Sequence, residues 1–189
     1  MKALVVVVLC ACSFEDGTLS AGGDAGTGDV PKSDARPIDA PSVDARVCPA
    51  APPTCTAFTC AGSSSCYYAC GSSTIGKQTW TGARTSCANA GIGCIVTIND
   101  QAEQDCIAAQ TMPVFPNNVW FGLRQDASGS EPQGGWDWEC GSSTYAYPEW
   151  GKAEPNDQGG MEDCGILATG GGWNDANCGG TARFVCELP

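Results

Sequence analysis

Fourteen cysteines in 189 residues constrain this chain more than any other feature, and twelve of them lie in residues 48–189. Thiols at that density persist as disulfides only in an oxidising compartment, so the chain reads as a cross-linked, loop-rich extracytoplasmic protein. Charge and composition then exclude whole function classes. Nine Lys and Arg stand against 21 Asp and Glu, a formal net charge of -12, whereas nucleic-acid binding needs clustered cations to meet phosphates. The chain contains no His. That removes Ser/His/Asp and Cys/His catalytic sets, His-ligated zinc and an imidazole general base, and so points away from an enzyme.

The first residues carry one basic side chain, Lys2, then an apolar run from Ala3 to Leu9. A bilayer span needs about 20 apolar residues, so this run fits a secretory signal instead. Leu9, Cys10, Ala11 and Cys12 resemble a bacterial lipobox, which implies that residues 1–11 are a lipoprotein signal peptide and that Cys12 is lipidated. Cys10 fits worse, because Leu9 would stand where a small residue is wanted. Losing Cys10 and acylating Cys12 leaves an even twelve cysteines to pair. Ser13 after the acceptor resembles the sorting signal of outer-membrane lipoproteins. The expected place is therefore the bacterial outer membrane or cell surface, with free secretion as the alternative, and the membrane is met only through the lipid.

Residues 12–47 have the composition of a disordered tether, rich in Gly, Ala, Pro and Asp, with Phe14 the only aromatic residue. Asp24, Asp29, Asp34, Asp39 and Asp44 recur every five residues. Single carboxylates on a Pro-containing chain do not converge on one ion, so they read as a solvated spacer rather than a calcium repeat. As a coil the tether spans roughly 32 Å, and as polyproline II up to about 100 Å.

Residues 48–189 hold all six Trp and all four Tyr, enough for one core that buries a little under about 70% of the unfolded surface. One helix is expected from Thr79 as N-cap, with Trp80, Ala83 and Cys87 on its inner face and a stop at Gly91. A second is expected from Asp100, with Glu103 completing a capping pair and Ala102, Cys106 and Ala109 inward. Strands are expected at Cys94–Ile98, Val119–Leu123, Cys164–Ala168 and Ala182–Glu187. Arg124 to Asp163 shows little periodicity, and an irregular stretch of that length inside a compact domain is usually either functional or a misassignment of its elements.

The succession TWTGARTSC, CIVTINDQAEQD, VWFGL, WDW, EPND, EDC, WNDANC and RFVCE resembles a C-type lectin-like domain over about Cys55 to Pro189. The resemblance implies an α+β fold: two helices flank small antiparallel sheets, and a long calcium-binding loop region accounts for the irregular stretch. It also implies disulfides Cys87–Cys186 and Cys164–Cys178, whose loops would constrain the unfolded chain by about 4.7 and 3 kcal/mol. Residues 48–70 form a Cys-rich N-terminal extension, in which Cys55 and Cys66, followed by Tyr67 and Tyr68, resemble the extra hairpin pair of long-form members. Cys48, Cys60, Cys70, Cys94, Cys106 and Cys140 have no assigned counterpart, and eight cysteines admit 105 pairings.

Within the irregular stretch and beyond it, Glu154, Asn156, Glu162, Asn174 and Asp175 offer only oxygen. An all-oxygen set suits a hard cation that takes six to eight ligands, hence Ca²⁺. A cis bond at Glu154–Pro155 would aim the flanking side chains the same way, and cis bonds essentially require Pro. By resemblance these five residues hold the ion and read two vicinal sugar hydroxyls, the acids accepting and the amides donating. The Glu-Pro-Asn order resembles members that prefer mannose, fucose, glucose and N-acetylglucosamine, where Gln-Pro-Asp implies galactose. By the same resemblance Asp157, Glu162 and Asp163 match auxiliary calcium ligands, whereas the acids expected after VWFGL do not align simply: Gln125 occupies one such place, and Asp126 and Glu131 are the candidates to substitute through the insertion. The partners implied are glycans or glycoconjugates. No coiled-coil neck indicates oligomerisation. The competing reading is a protein-binding or ice-binding member of the same fold that presents Tyr145, Tyr147 and Trp150, with calcium only ordering the loop.

Overall fold

Local capping chemistry sets both helices. Thr79 Oγ1 accepts from Gly82 N (3.1 Å) at the head of α1 (Trp80–Asn89), and Gly91, at φ 68°, turns the chain so that Ile92 N reaches back to Cys87 O (3.3 Å). At α2 (Gln101–Thr111), Asp100 Oδ1 accepts from Glu103 N (2.9 Å). Glu103 Oε2 in turn takes Asn99 N (2.8 Å). The inner face of α2 differs from the expected one: Gln104, Ile107 and Thr111 are buried, whereas Ala102 and Ala109 are exposed and Cys106 is half-buried. Small Ala side chains carried little burial energy, so the larger Ile107 decided the face.

The protein is seen in a computed structural model that describes residues 47–71, 76–112, 118–141 and 145–189. Cys12, the signal and the tether up to residue 46 lie outside the described residues. The strands are β1 (Cys55–Phe58), β2 (Cys66–Cys70), β3 (Cys94–Ile95), β4 (Val119–Gln125), β5 (Trp136–Trp138), β6 (Cys164–Leu167), β7 (Trp173–Ala176) and β8 (Arg183–Leu188). They join in the order β1-β2-β8-β4-β6-β7, with β3 on β8 and β5 on β4. The ladders therefore form one sheet rather than separate small ones. All pairings are antiparallel except β4 with β8. CIVTI is a ladder strand only at its first two residues. Val96 instead bridges β8 and β4, donating to Val185 O (2.9 Å) and accepting from Gly122 N (2.7 Å). A Cβ at Gly122 would lie 2.8 Å from Val96 O, which is why this strand carries Gly.

Both faces of the sheet are buried. Along β4, Val119, Phe121 and Leu123 enter one core cluster with Tyr67, Ile107 and Trp173, while Trp120 enters the other with Tyr68, Trp80 and Phe184. Helix α1 covers the second face, and Trp80 Nε1 donates to Phe121 O (2.8 Å).

The structure pairs Cys87 with Cys186 and Cys164 with Cys178, and adds Cys60–Cys106 and Cys94–Cys140. The expected Cys55–Cys66 pairing is corrected: Cys55 bonds Cys70, and Cys66 bonds Cys48. Register is the reason. The β1–β2 hairpin sets Cys55 directly opposite Cys70 and Phe58 opposite Tyr67, so Cys66 lies at the far end from Cys55.

Candidate functional site

Trp173 builds the site's floor. It is fully buried and gathers Phe121, Trp138, Tyr147 and Trp150 at centroid distances of 4.9, 5.8, 5.9 and 5.9 Å. Its backbone is equally committed, since Trp173 N donates to Glu149 O (2.8 Å) and Trp173 O accepts from Gly151 N (2.7 Å). This parallel bridge carries the segment before Glu154 alongside β7, which holds Asn174 and Asp175. Two stretches about 20 residues apart in sequence are thereby set side by side.

Glu154–Pro155 is cis, and Asn156 Nδ2 donates to Glu154 Oε2. Asp175, fully buried, crosses to the same place: its carboxylate accepts from Asn156 N (2.9 Å) and Asp157 N (2.6 Å). Glu162 Oε2 accepts from Gln158 N (2.9 Å), and Glu162 N donates to Asp157 Oδ1 (3.1 Å), closing the tight turn in which Asp157 adopts φ 44°. Asn174 Nδ2 donates to the carbonyl of Asp175. Glu154, Asn156 and Asp175 thus meet directly, with Glu162 close enough for its charge to act on Glu154.

Burial, then the neighbouring Asp175 carboxyl and the charge of Glu162, push the Glu154 pKa above the ordinary carboxylate range, against an opposing hydrogen bond from Asn156. Burial also raises Glu162, with Asp175 and Asp157 adding repulsion and the Gln158 N–H opposing it. Acids that raise one another's pKa in this way repel when ionised, which is the electrostatics of a cation site. Among the described residues, no group of three or more acidic or cysteine side chains is arranged as it stands to grip a metal. The physical reason is visible in the contacts: Asp175 and Glu162 are turned onto the loop's own N–H groups, and two of the five expected ligands are amides. The donor set, all oxygen with three carboxylates, fits a hard cation such as calcium.

The auxiliary residues are placed differently. Gln125 is buried, and its Nε2 donates to Gly134 O (2.7 Å) and Pro132 O (3.3 Å), while its Oε1 is buried without a hydrogen-bond partner among the described residues. Asp126 accepts from the Ser128 hydroxyl and from Ser128 N (2.7 Å), and these bonds, the hydroxyl's first, lower its pKa; Glu131 is exposed. Asp163 joins β4 through its carbonyl, which accepts from Gln125 N (2.9 Å).

Sequence reasoning missed Gln104. Its Oε1 accepts from Trp173 Nε1 (2.5 Å) and its Nε2 donates to Gly171 O (2.6 Å). The available signal was a Gln in phase with Ile107 and Thr111 on one helical stripe.

The model of the lectin C-type domain matches residues 76–188. The hepatic lectin of Gallus gallus is 30% identical over 125 residues, 66% of this chain and 55% of that protein. Lithostathine-1 of Mus musculus is 31% identical over 145 residues, 74% of this chain and 82% of that protein. Among solved structures, the cow C-type carbohydrate-recognition domain of CD23, in the presence of a GlcNAc2Man3 oligosaccharide, superposes with TM-score 0.58 at 29% identity, covering 75% of this chain and 97% of that one. The chain spans about half the length, or less, of several curated relatives that it matches.

Proposed function

Because the chain belongs to the C-type lectin domain family, generally binding proteins rather than enzymes, we propose that residues 48–189 recognise carbohydrate at a calcium ion held by Glu154, Asn156, Glu162, Asn174 and Asp175. The observation that supports this reading is the Asp175 carboxylate, which reaches across to the Asn156 and Asp157 N–H groups and gathers the Glu-Pro-Asn and Trp-Asn-Asp segments into one oxygen-rich set. Calcium supplies there the coordination positions that two vicinal hydroxyls fill. Glu154 and Glu162 accept hydrogen bonds from those hydroxyls, and Asn156 and Asn174 donate to them, so stereochemistry decides which sugar is held. The Glu154–Asn156 order favours mannose, fucose, glucose and N-acetylglucosamine. Asp157 and Asp163 are the residues for an auxiliary ion.

A single shallow site of this kind is weak, since a 1 mM affinity is only about -4 kcal/mol. Display on the 12–47 tether from an acylated Cys12, after removal of residues 1–11, raises avidity by local concentration. The setting is the bacterial outer membrane or cell surface, in adhesion or recognition. Among the described residues, no helix is long and apolar enough to cross a membrane. A protein- or ice-binding face built on Tyr145, Tyr147 and Trp150 is not favoured, because all three are partly buried and pack against the Trp173 cluster. A glycan array read with and without a chelator tests the proposal: mannose-type binding that the chelator abolishes is expected, and binding indifferent to the chelator would sink it.

A further inference from the structure

Gln104 lies 3% exposed in the interior face of α2, beside Ile107. A buried primary amide is costly unless both ends are satisfied. Both ends of this one go to a single short segment: the indole Nε1–H of Trp173 donates to its oxygen, and its nitrogen donates to the carbonyl of Gly171. That segment is the turn between β6 and β7 together with the first residue of β7, the turn being closed by Ala168 N to Gly172 O (2.9 Å) and Gly171 N to Ala168 O (3.0 Å). It leads directly into Asn174 and Asp175. Trp173 also holds Glu149 and Gly151 by its backbone, so a shift of its indole would move both halves of the site together. From the preceding turn of the same helix, Gln101 Oε1 accepts the hydroxyl of Tyr147 (2.8 Å) and so steadies the other flank of the loop.

We propose that Gln104 is the positioning residue of the site: by fixing Trp173 and Gly171 it holds the Asp175 carboxylate against the Asn156 and Asp157 N–H groups, without itself touching ion or sugar. Its effect on sugar affinity rests on the carbohydrate reading above. Its effect on the Asp175 contacts does not.

The test uses the full chain carrying Gln104→Met, which keeps volume and removes both hydrogen bonds, or Gln104→Glu, which keeps the acceptor for the indole and loses the donor to Gly171. Amide hydrogen exchange is measured without calcium, and methyl mannoside titration with it, both well below the unfolding temperature. In Gln104→Met, exchange at Asn156 and Asp157 rises about tenfold and mannoside affinity falls about five- to tenfold, because a lost buried hydrogen bond loosens what it held. Gln104→Glu lies between. If both amides and the affinity stay at wild-type values while only the thermal midpoint drops, Gln104 is structural and the proposal is overturned. If the parent protein binds no mannoside, the carbohydrate reading fails while the exchange data still judge Gln104. Should Gln104→Met not fold, Gln104→Glu carries the same two readouts.

Discussion

The base of the domain and its long loop are held by different means. In the base, Cys87–Cys186, Cys48–Cys66, Cys55–Cys70 and Cys60–Cys106 tie the hairpin, both helices and the last strand. Cys94–Cys140 and Cys164–Cys178 pin the two ends of the loop, but between Cys140 and Cys164 the chain has no cysteine. Its described part is held by aromatic packing on Trp173, by the Trp150–Trp173 bridge and by the Asp175 carboxylate. Cross-links set how far the unfolded chain can spread, whereas packing and hydrogen bonds set where particular atoms sit. Global stability should therefore be sensitive to the base and ligand geometry to the loop, and the two can be perturbed separately.

The largest expected effect is that of Trp173→Ala. Removing a fully buried Trp costs about 3–5 kcal/mol, leaves the Gln104 oxygen without its donor, and should abolish mannoside binding. Chemical denaturation and calorimetric titration together check it. Retained binding would break the view that Trp173 organises the loop.

Replacing both Cys87 and Cys186 by Ala is expected to cost about 2–5 kcal/mol of stability while leaving mannoside affinity at low temperature within about twofold, a change below 0.5 kcal/mol. A larger loss of affinity would show that the base and the loop are not separable.

Glu154→Gln combined with Asn156→Asp comes next. The pair keeps two oxygens and reverses which partner donates in the observed Asn156-to-Glu154 hydrogen bond. Calcium affinity should survive, and methyl mannoside binding should weaken by about 1–3 kcal/mol, with galactoside binding gained. Unchanged mannoside titration would mean that these side chains do not read the sugar.

The smallest effect is on pH dependence without calcium. Glu154 and Glu162 hold their protons more tightly in the fold than in the unfolded chain, chiefly through burial and then through neighbouring acids. The folded state therefore binds more protons from about pH 4.3 up to their raised values, and their contribution to stability is lost as pH rises through that window. Glu154→Gln with Glu162→Gln should flatten this slope in melting curves, leaving the slope of the same sign that Glu187, raised by burial, provides. Saturating calcium should reverse the trend, because protons compete with the ion. An unaltered slope in the double variant would detach these acids from the site's electrostatics.

The helix starts at Thr79 and Asp100, the strand cores of VWFGL and RFVCE, and the oxygen-only character of the loop could all be read from the chain, because caps, alternation and ligand chemistry are properties of neighbouring residues. Three features could not. WDW and WNDA are too short to show a period and become strands only against Leu123 and Ile166. The burial of Gln104 depends on Trp173, 69 positions away. The exchange of Cys55–Cys66 for Cys55–Cys70 and Cys48–Cys66 depends on hairpin register and on β8 lying beside β2. Sequence by itself thus determined the local elements and the kind of chemistry available. Which cysteine meets which, which face of α2 turns inward and which acid crosses to Asn156 were left to tertiary structure, since each is settled by the packing of segments that the chain does not place next to one another.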